Sequence, residues 1–253
     1  MSVDDFARRL RAREQVLGYW SVIDSPVSTE WLAHVGWDYL CLDLQHGLIG
    51  YDGLLRGLTA VDAAHGPAGL VRVEANDRTY IGKALDAGAR GVIVPLIDTA
   101  EDAALAVSYS RYPPVGVRSY GPMRSQLRVG PLPAEANDAV VVLAMIETPE
   151  GLENVESICA VPGLDGIYVG PSDLRIAVGG SSPADSSVDE VFDAALVRIA
   201  DAAAAAGIAC GIHTPSGEVA ARRLTQGFTF ATVASDLTHL KAASEAHLAA
   251  ARG

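Results

Sequence analysis

The chain reads as an α/β protein, a (β/α)8 TIM barrel with an extra C-terminal helix, on three observations. Eight apolar, β-branched runs recur along its 253 residues. They show little polar alternation, so each strand is buried on both faces and therefore parallel. Helix-forming stretches lie between them, and a length near 250 residues is ordinary for such a barrel.

In order, strands are expected near 16–22, 38–43, 69–73 and 91–96, then near 140–146, 165–169, 207–212 and 228–233. Helices are expected over 99–110, 150–160, 188–206 and 216–226. Thr99-Ala-Glu-Asp102 is a helix start with early acids, and Gly207 suits the position just past an Ala-rich helix. Residues 111–138, rich in Pro, Gly and Arg, form a connection long enough to expect a functional role. Asp236 to Arg252 reads as a terminal helix with Leu237, Leu240 and Leu248 on a related face. No linker, repeat or low-complexity tract divides residues 1–253, so a single domain is expected.

Composition narrows the function. A net charge of −12 argues against nucleic acid or an anionic membrane as partner. Charged residues across 1–15 leave no apolar core for a signal peptide, and no apolar stretch is long enough to span a bilayer. Cys41, Cys159 and Cys210 are widely spaced, as small buried hydrophobes are. A reducing, cytoplasmic setting is expected.

Chemistry-bearing residues collect where strands end, which is where barrels carry out catalysis. Strand 2 delivers Asp43-Leu-Gln-His46-Gly47, and strand 3 carries Arg72. Strand 5 is followed by Glu147-Thr-Pro, strand 6 by Gly170-Pro171-Ser172-Asp173, strand 7 by His213 and strand 8 by Asp236. Two acids on neighbouring strands read first as a divalent-metal site. Hard oxygen donors in small number favour Mg²⁺, Mn²⁺ or Co²⁺ completed by waters. A metal to polarise a carbonyl, an arginine for a carboxylate or oxyanion and a histidine to move a proton suit an oxo acid. Structural readings stand beside these. Glu147 could be a helix-start acid, Asp173 an N-cap, His46 a turn histidine and Arg72 half of a salt bridge. His213, Asp236 and Arg118 carry weaker signals, and His34, His65, His239 and His247 are expected to be solvated.

One absence matters. The only lysines, Lys83 and Lys241, lie away from strand ends. A Schiff-base aldolase needs a lysine in its pocket, so carbonyl chemistry here points to a metal. The lack of Gly-x-Gly-x-x-Gly argues against a dinucleotide.

Several segments together resemble the HpcH/HpaI aldolase family, metal-dependent class II pyruvate aldolases. They are Leu42-Asp-Leu-Gln-His-Gly47, Val71-Arg72-Val73, Leu85-Asp86-Ala-Gly-Ala89, Val94-Pro95, Arg111-Tyr-Pro-Pro-Val-Gly-Val-Arg118, Ile146-Glu147-Thr148 and Gly166-Ile-Tyr-Val-Gly-Pro-Ser-Asp-Leu174. The resemblance runs over roughly 16–240 in the right order. It implies that Glu147 and Asp173 bind the divalent ion and that His46 accepts the proton, with Asp86 raising its basicity. It implies that Arg72 stabilises the enolate, and that Ser172, with Gly170 and Pro171, holds the substrate carboxylate. It further implies a hexamer, a trimer of dimers, with the terminal helix packed on a neighbouring subunit.

The sequence departs from that pattern in places. Gln45 stands where many members have Glu before the histidine, and Leu48-Ile49 where Pro-Asn often follows it. Met145 occupies a substrate-binding position where sugar-acid aldolases commonly carry Gln. A thioether cannot replace an amide donor, so one polar contact with the oxo acid is lost. The reading is a metal-dependent aldolase cleaving a 4-hydroxy-2-oxo acid to a pyruvate-type acid and an aldehyde. The alternatives are a citrate-lyase-like lyase of CoA thioesters and an oxo-acid-binding barrel without turnover.

Overall fold

The computed structural model describes residues 5–253. Eight strands form it: β1 Val16–Ser21, β2 Tyr39–Asp43, β3 Ala68–Arg72, β4 Gly91–Val94, β5 Val141–Ile146, β6 Gly166–Val169, β7 Ala209–Thr214 and β8 Phe230–Ser235. Each pairs in parallel with its sequence neighbours, and β8 closes on β1, so the sheet is a closed barrel. All eight expected strands are present, along with the alternating helices.

Boundaries moved where helix endings intrude. The expectation started the seventh strand at Gly207, but that residue has φ 73° and caps α10 (Asp189–Ala206) in the left-handed region glycine adopts cheaply. Ile208 N–H still reaches back to Ala203 O. β7 therefore begins later and runs through His213, which the sequence placed just beyond it. β8 shifts likewise, since Phe228 N–H closes the end of α11 (Gly217–Leu224) on Arg223 O. The expected helix over 150–160 is two short ones, α7 (Pro149–Glu153) and α8 (Val155–Cys159), separated at Asn154. α5 (Ala100–Ser110) opens with the capping box of Thr99 and Asp102.

Two apolar layers result from the strand period of two. Inward-facing Val16, Tyr39, Leu70, Leu143, Tyr168 and Phe230 fill the barrel. Phe6, Ala7 and Leu10 of α1 (Phe6–Arg11) close its floor. Outward-facing Leu42, Val71, Val92, Val142, Ile167 and Ile212 pack against the helical ring. Truncating a helix residue packed against that layer, as in Leu58→Ala on α3 (Tyr51–Ala63), should cost about 2–5 kcal/mol.

The long connection over 111–138 joins α5 to β5 through a 3-10 turn at Ser125–Leu127 and α6 (Pro133–Ala139). A helix-to-strand connection lies at the face where strands begin. It is therefore on the floor side, and its length does not place it at the mouth.

Candidate active site

The mouth is organised by Asp43, the last residue of β2, which pairs in register with Arg72, the last of β3. Arg72 donates Nε to Asp43 Oδ1 at 2.9 Å and Nη2 to Oδ2, and both residues are buried. Asp43 also accepts Trp20 Nε1 at 3.2 Å and the backbone N–H groups of Gln45 at 3.0 Å and His46 at 3.2 Å. One carboxylate thus fixes the guanidinium and the turn that carries His46. Burial would push the Asp43 carboxyl up, but its bonds to Arg72 hold it below the ordinary range. Burial likewise opposes the Arg72 charge, which Asp43 more than restores. The guanidinium carbon lies 5.1 Å from the centre of the Trp20 ring.

Glu147 follows β5 and is 3 % exposed. Thr148 caps α7, and Glu147 stands one residue before that cap. Its Oε1 accepts Leu96 N–H at 3.0 Å, from a turn where Leu96 has φ 53°. Asp173 lies in the first turn of α9 (Pro171–Ala177), exposed, while Gly170 occupies the N-cap. A Cβ at Gly170 would stand 2.5 Å from Glu147 Oε2 and 2.6 Å from the Met145 methyl, so both side chains would have to shift to admit one. Burial raises the Glu147 carboxyl above its usual range, and the charge of Asp173 adds to this.

A cavity of 270 Å³ opens over these residues, lined in part by His46, Arg72, Met145, Gly170, Ser172 and Asp173. Its wall is aromatic. Trp20 stacks on Tyr168 at 5.7 Å and meets the His213 ring edge-on at 5.3 Å. Tyr168 OH donates to Thr232 Oγ1 at 2.6 Å and lies 3.5 Å from His213 Nδ1. Burial pushes His213 down to about 4, with the Arg72 charge adding to this, so the ring is neutral at physiological pH.

The structure therefore gathers His46, Arg72, Met145, Gly170, Pro171, Ser172 and Asp173 around one cavity, with Glu147 behind Gly170. It does not bring Asp86 there within the chain. Asp86 ends α4 (Arg78–Asp86) on the helical ring, shortly before β4 begins, and accepts Arg118 Nη2 at 2.7 Å. No hydrogen bond joins it to His46 among the described residues. Arg118 is accordingly half of a salt bridge, stacked on Tyr112. Asp236 is buried and accepts Ser21 Oγ at 2.8 Å and the N–H groups of Val22 and Ile23, tying the end of β1 to α12 (Asp236–Arg252). His34, His65 and His247 are exposed, and His239 bonds Tyr19 OH at 2.8 Å. Lys83 lies over the Tyr51 ring and Lys241 is exposed beside Glu245. Neither lines the cavity.

Asp43 was the main omission from the sequence's list of site residues. Its signal was present, since it stands at a strand end beside the strand that carries Arg72.

The donor set suits a hard divalent ion. Two carboxylates lie close enough for the Asp173 charge to add to the rise that burial gives Glu147. No group of three or more His, Cys, Asp or Glu donors occurs among the described residues. An ion held there would keep positions for waters and an oxygen-bearing substrate.

Known proteins agree with this geometry. The chain is 38 % identical over 237 residues to a hydroxypyruvate/pyruvate aldolase of Rhizorhabdus wittichii, covering 93 % of this chain and 94 % of that protein. It is 35 % identical to a 2-dehydro-3,6-dideoxy-6-sulfogluconate aldolase of Pseudomonas putida, over 96 % and 95 % of the two chains. A crystal structure of an HpcH/HpaI aldolase/citrate lyase family protein from Burkholderia cenocepacia superposes with a TM-score of 0.88 at 33 % identity. That match covers 99 % of this chain and 100 % of the other. Residues 17–243 match the HpcH/HpaI aldolase/citrate lyase profile, and the chain belongs to that family.

Proposed function

We propose that this aldolase cleaves a 4-hydroxy-2-oxo acid to an aldehyde and pyruvate or hydroxypyruvate with the help of a divalent ion held by Glu147 and Asp173. The observation that carries the reading is Asp173 beside Arg72 and His46 in one cavity that no lysine lines, with the buried Glu147 behind Gly170. Relatives named as aldolases at 35–38 % identity support the same chemistry.

Mg²⁺, Mn²⁺ or Co²⁺, when bound, supplies a Lewis acid for the 2-oxo group. The chain's own residues do the rest. Ser172 and the first turn of α9 hold the substrate carboxylate. His46 takes the proton of the C4 hydroxyl. As the C3–C4 bond breaks and the aldehyde departs, negative charge moves to the C2 oxygen. Arg72, already oriented by Asp43, meets that charge without reorganising. Protonation at C3 completes turnover. Trp20 and Met145 keep the reacting carbons in an apolar wall, so Met145 contributes contact where an amide would have donated.

Asp86 can serve His46 only across a subunit boundary, because its own chain holds it on the helical ring. The hexamer, a trimer of dimers, fits that requirement. α12 is exposed beyond Asp236, with Leu237 51 %, Leu240 63 % and Leu248 50 % exposed, an apolar face that a neighbouring copy would cover in such an assembly. The three free, buried cysteines are consistent with a cytoplasmic setting. Among the described residues no helix is long and apolar enough to cross a membrane.

The test is a panel of 4-hydroxy-2-oxo acids assayed with each of the three ions, following release of the oxo acid. Release from at least one substrate is expected, and no release from any, with any ion, would reject the reading.

A further inference from the structure

A second cavity, of 410 Å³, adjoins the first and shares Pro171, Ser172 and His213 with it. It opens between the ends of β7 and β8 and the body of α11, a part of the barrel that often holds phosphate groups. Its charge is one-sided. Arg175, Arg222 and Arg223 line it and no aspartate or glutamate does, in a chain whose net charge is −12. The active-site cavity, by contrast, sets Arg72 against Asp173.

Two of these arginines are held in place by α10. Arg175 Nη1 donates to Asp185 O at 2.7 Å and to Asp189, and its guanidinium carbon lies 4.2 Å from the centre of the Phe192 ring. Arg223, 7 % exposed, donates Nη1 to Gln226 Oε1 at 2.8 Å and Nη2 to Asp193 Oδ1 at 2.9 Å. Asp189 and Asp193 belong to α10, and neither lines the cavity. A guanidinium presents five N–H donors, so each paired arginine still has some to give. Arg222 has all of its own, since its side chain makes no hydrogen bond or ion pair among the described residues. Clamping α9 and α11 to α10 accounts for Arg175 and Arg223. It leaves Arg222 without a use.

We propose that this cleft is a second binding site, for a phosphate-type dianion held chiefly by Arg222 with Arg175 and Arg223 beside it. Forked guanidinium donors match the oxygens of such a group, and a dianion would offset the surplus of positive charge. The same chemistry serves the inorganic ion or a phosphoryl group on a small organic molecule, for which Phe192 and Val219 supply an apolar wall. Because both cavities use Ser172, the dianion stands next to the place the aldolase reading gives the substrate carboxylate. Two anions so placed weaken each other's binding, by the same factor in both directions.

The test is calorimetry on the Mg²⁺-loaded protein, titrated with inorganic phosphate and, separately, with glycerol 3-phosphate and glycerol. Arg222 is exposed, so its variants should keep the wild-type melting temperature. The wild type should bind a phosphate-bearing probe and not glycerol. Arg222→Glu should weaken that binding by at least about tenfold, and Arg222→Lys should recover part of it. Tighter binding of the inorganic ion than of glycerol 3-phosphate identifies a free anion as the occupant, and the opposite order identifies an organic phosphate. Phosphate should also raise KM for the 4-hydroxy-2-oxo acid in the wild type, with kcat unchanged, and should not do so in Arg222→Glu. No binding of either phosphate probe overturns the proposal. So does binding that Arg222→Glu leaves unchanged, which would place the ion at the metal instead. If the protein cleaves no oxo acid, the aldolase reading fails, and the calorimetry still decides the site.

Discussion

Among the pairs of the described residues, two buried arginine–aspartate pairs stand at opposite ends of the barrel, and they have different uses. At the floor, Asp165 accepts Arg11 Nε at 2.6 Å, Arg111 Nη2 at 2.7 Å and Val142 N–H at 2.8 Å. Both arginines also donate to Val140 O. Those charges are spent on protein atoms, and they lash α1, the end of α5 and the starts of β5 and β6 together. At the mouth, Arg72 and Asp43 are just as buried, yet Arg72 lines a cavity beside two further acids. Burial and pairing alone do not mark a functional charge. An open face beside other reactive groups does.

Substitutions at the two ends should separate accordingly. The largest effect on activity is expected for Arg72→Ala, with kcat/KM reduced about 10²–10³-fold, the usual loss when a preorganised oxyanion partner is removed. A value near that of the wild type would put Arg72 with the structural pairs. Arg111→Leu should do the reverse. Leaving Asp165 buried with one partner fewer should cost about 3–5 kcal/mol of stability, or roughly 10 °C in melting temperature. Below that transition kcat/KM should stay close to the wild-type value, and a large loss there would link floor to mouth. Asp43→Asn should fall between them, lowering both, because Asp43 orients Arg72 and the His46 turn together.

The smallest effect concerns Glu147. Its carboxyl is raised in the metal-free protein, so ionising it opposes folding. That penalty is absent below the ordinary glutamate value of about 4.3 and grows as pH rises through the folded value. Metal-free Glu147→Gln should therefore melt above the wild type at pH 8. The difference should vanish at pH 4. An equal difference at both values would mean that packing, not charge, sets it.

Much of this was legible in the sequence because barrel strands are buried on both faces and write themselves as unbroken apolar runs. Glu147 and Asp173 stood out as candidates because each lies just past the end of such a run. His213 was placed outside its strand because Gly207 and Ile208 look like strand residues, whereas they finish a helix. Asp86 was given a role by the resemblance alone, and the order of elements could not show that its own chain pairs it with Arg118, 32 residues further on. The loop over 111–138 suggested function by its length alone. That it follows a helix and precedes a strand puts it on the floor side. Asp43 was passed over because an acid at a strand end looks the same whether its oxygens are free for a metal, as proposed for Glu147 and Asp173, or already committed to an arginine and a turn.

The central claim is that the carboxylates at the mouth work through a divalent ion rather than through a covalent adduct. Cleavage of a 4-hydroxy-2-oxo acid, measured after exhaustive chelation and again after adding back Mn²⁺, tests it most directly. The account predicts that release of the oxo acid stops on chelation and returns with the ion in the wild type but not in a Glu147→Gln/Asp173→Asn variant. Full activity in the chelated protein would contradict it.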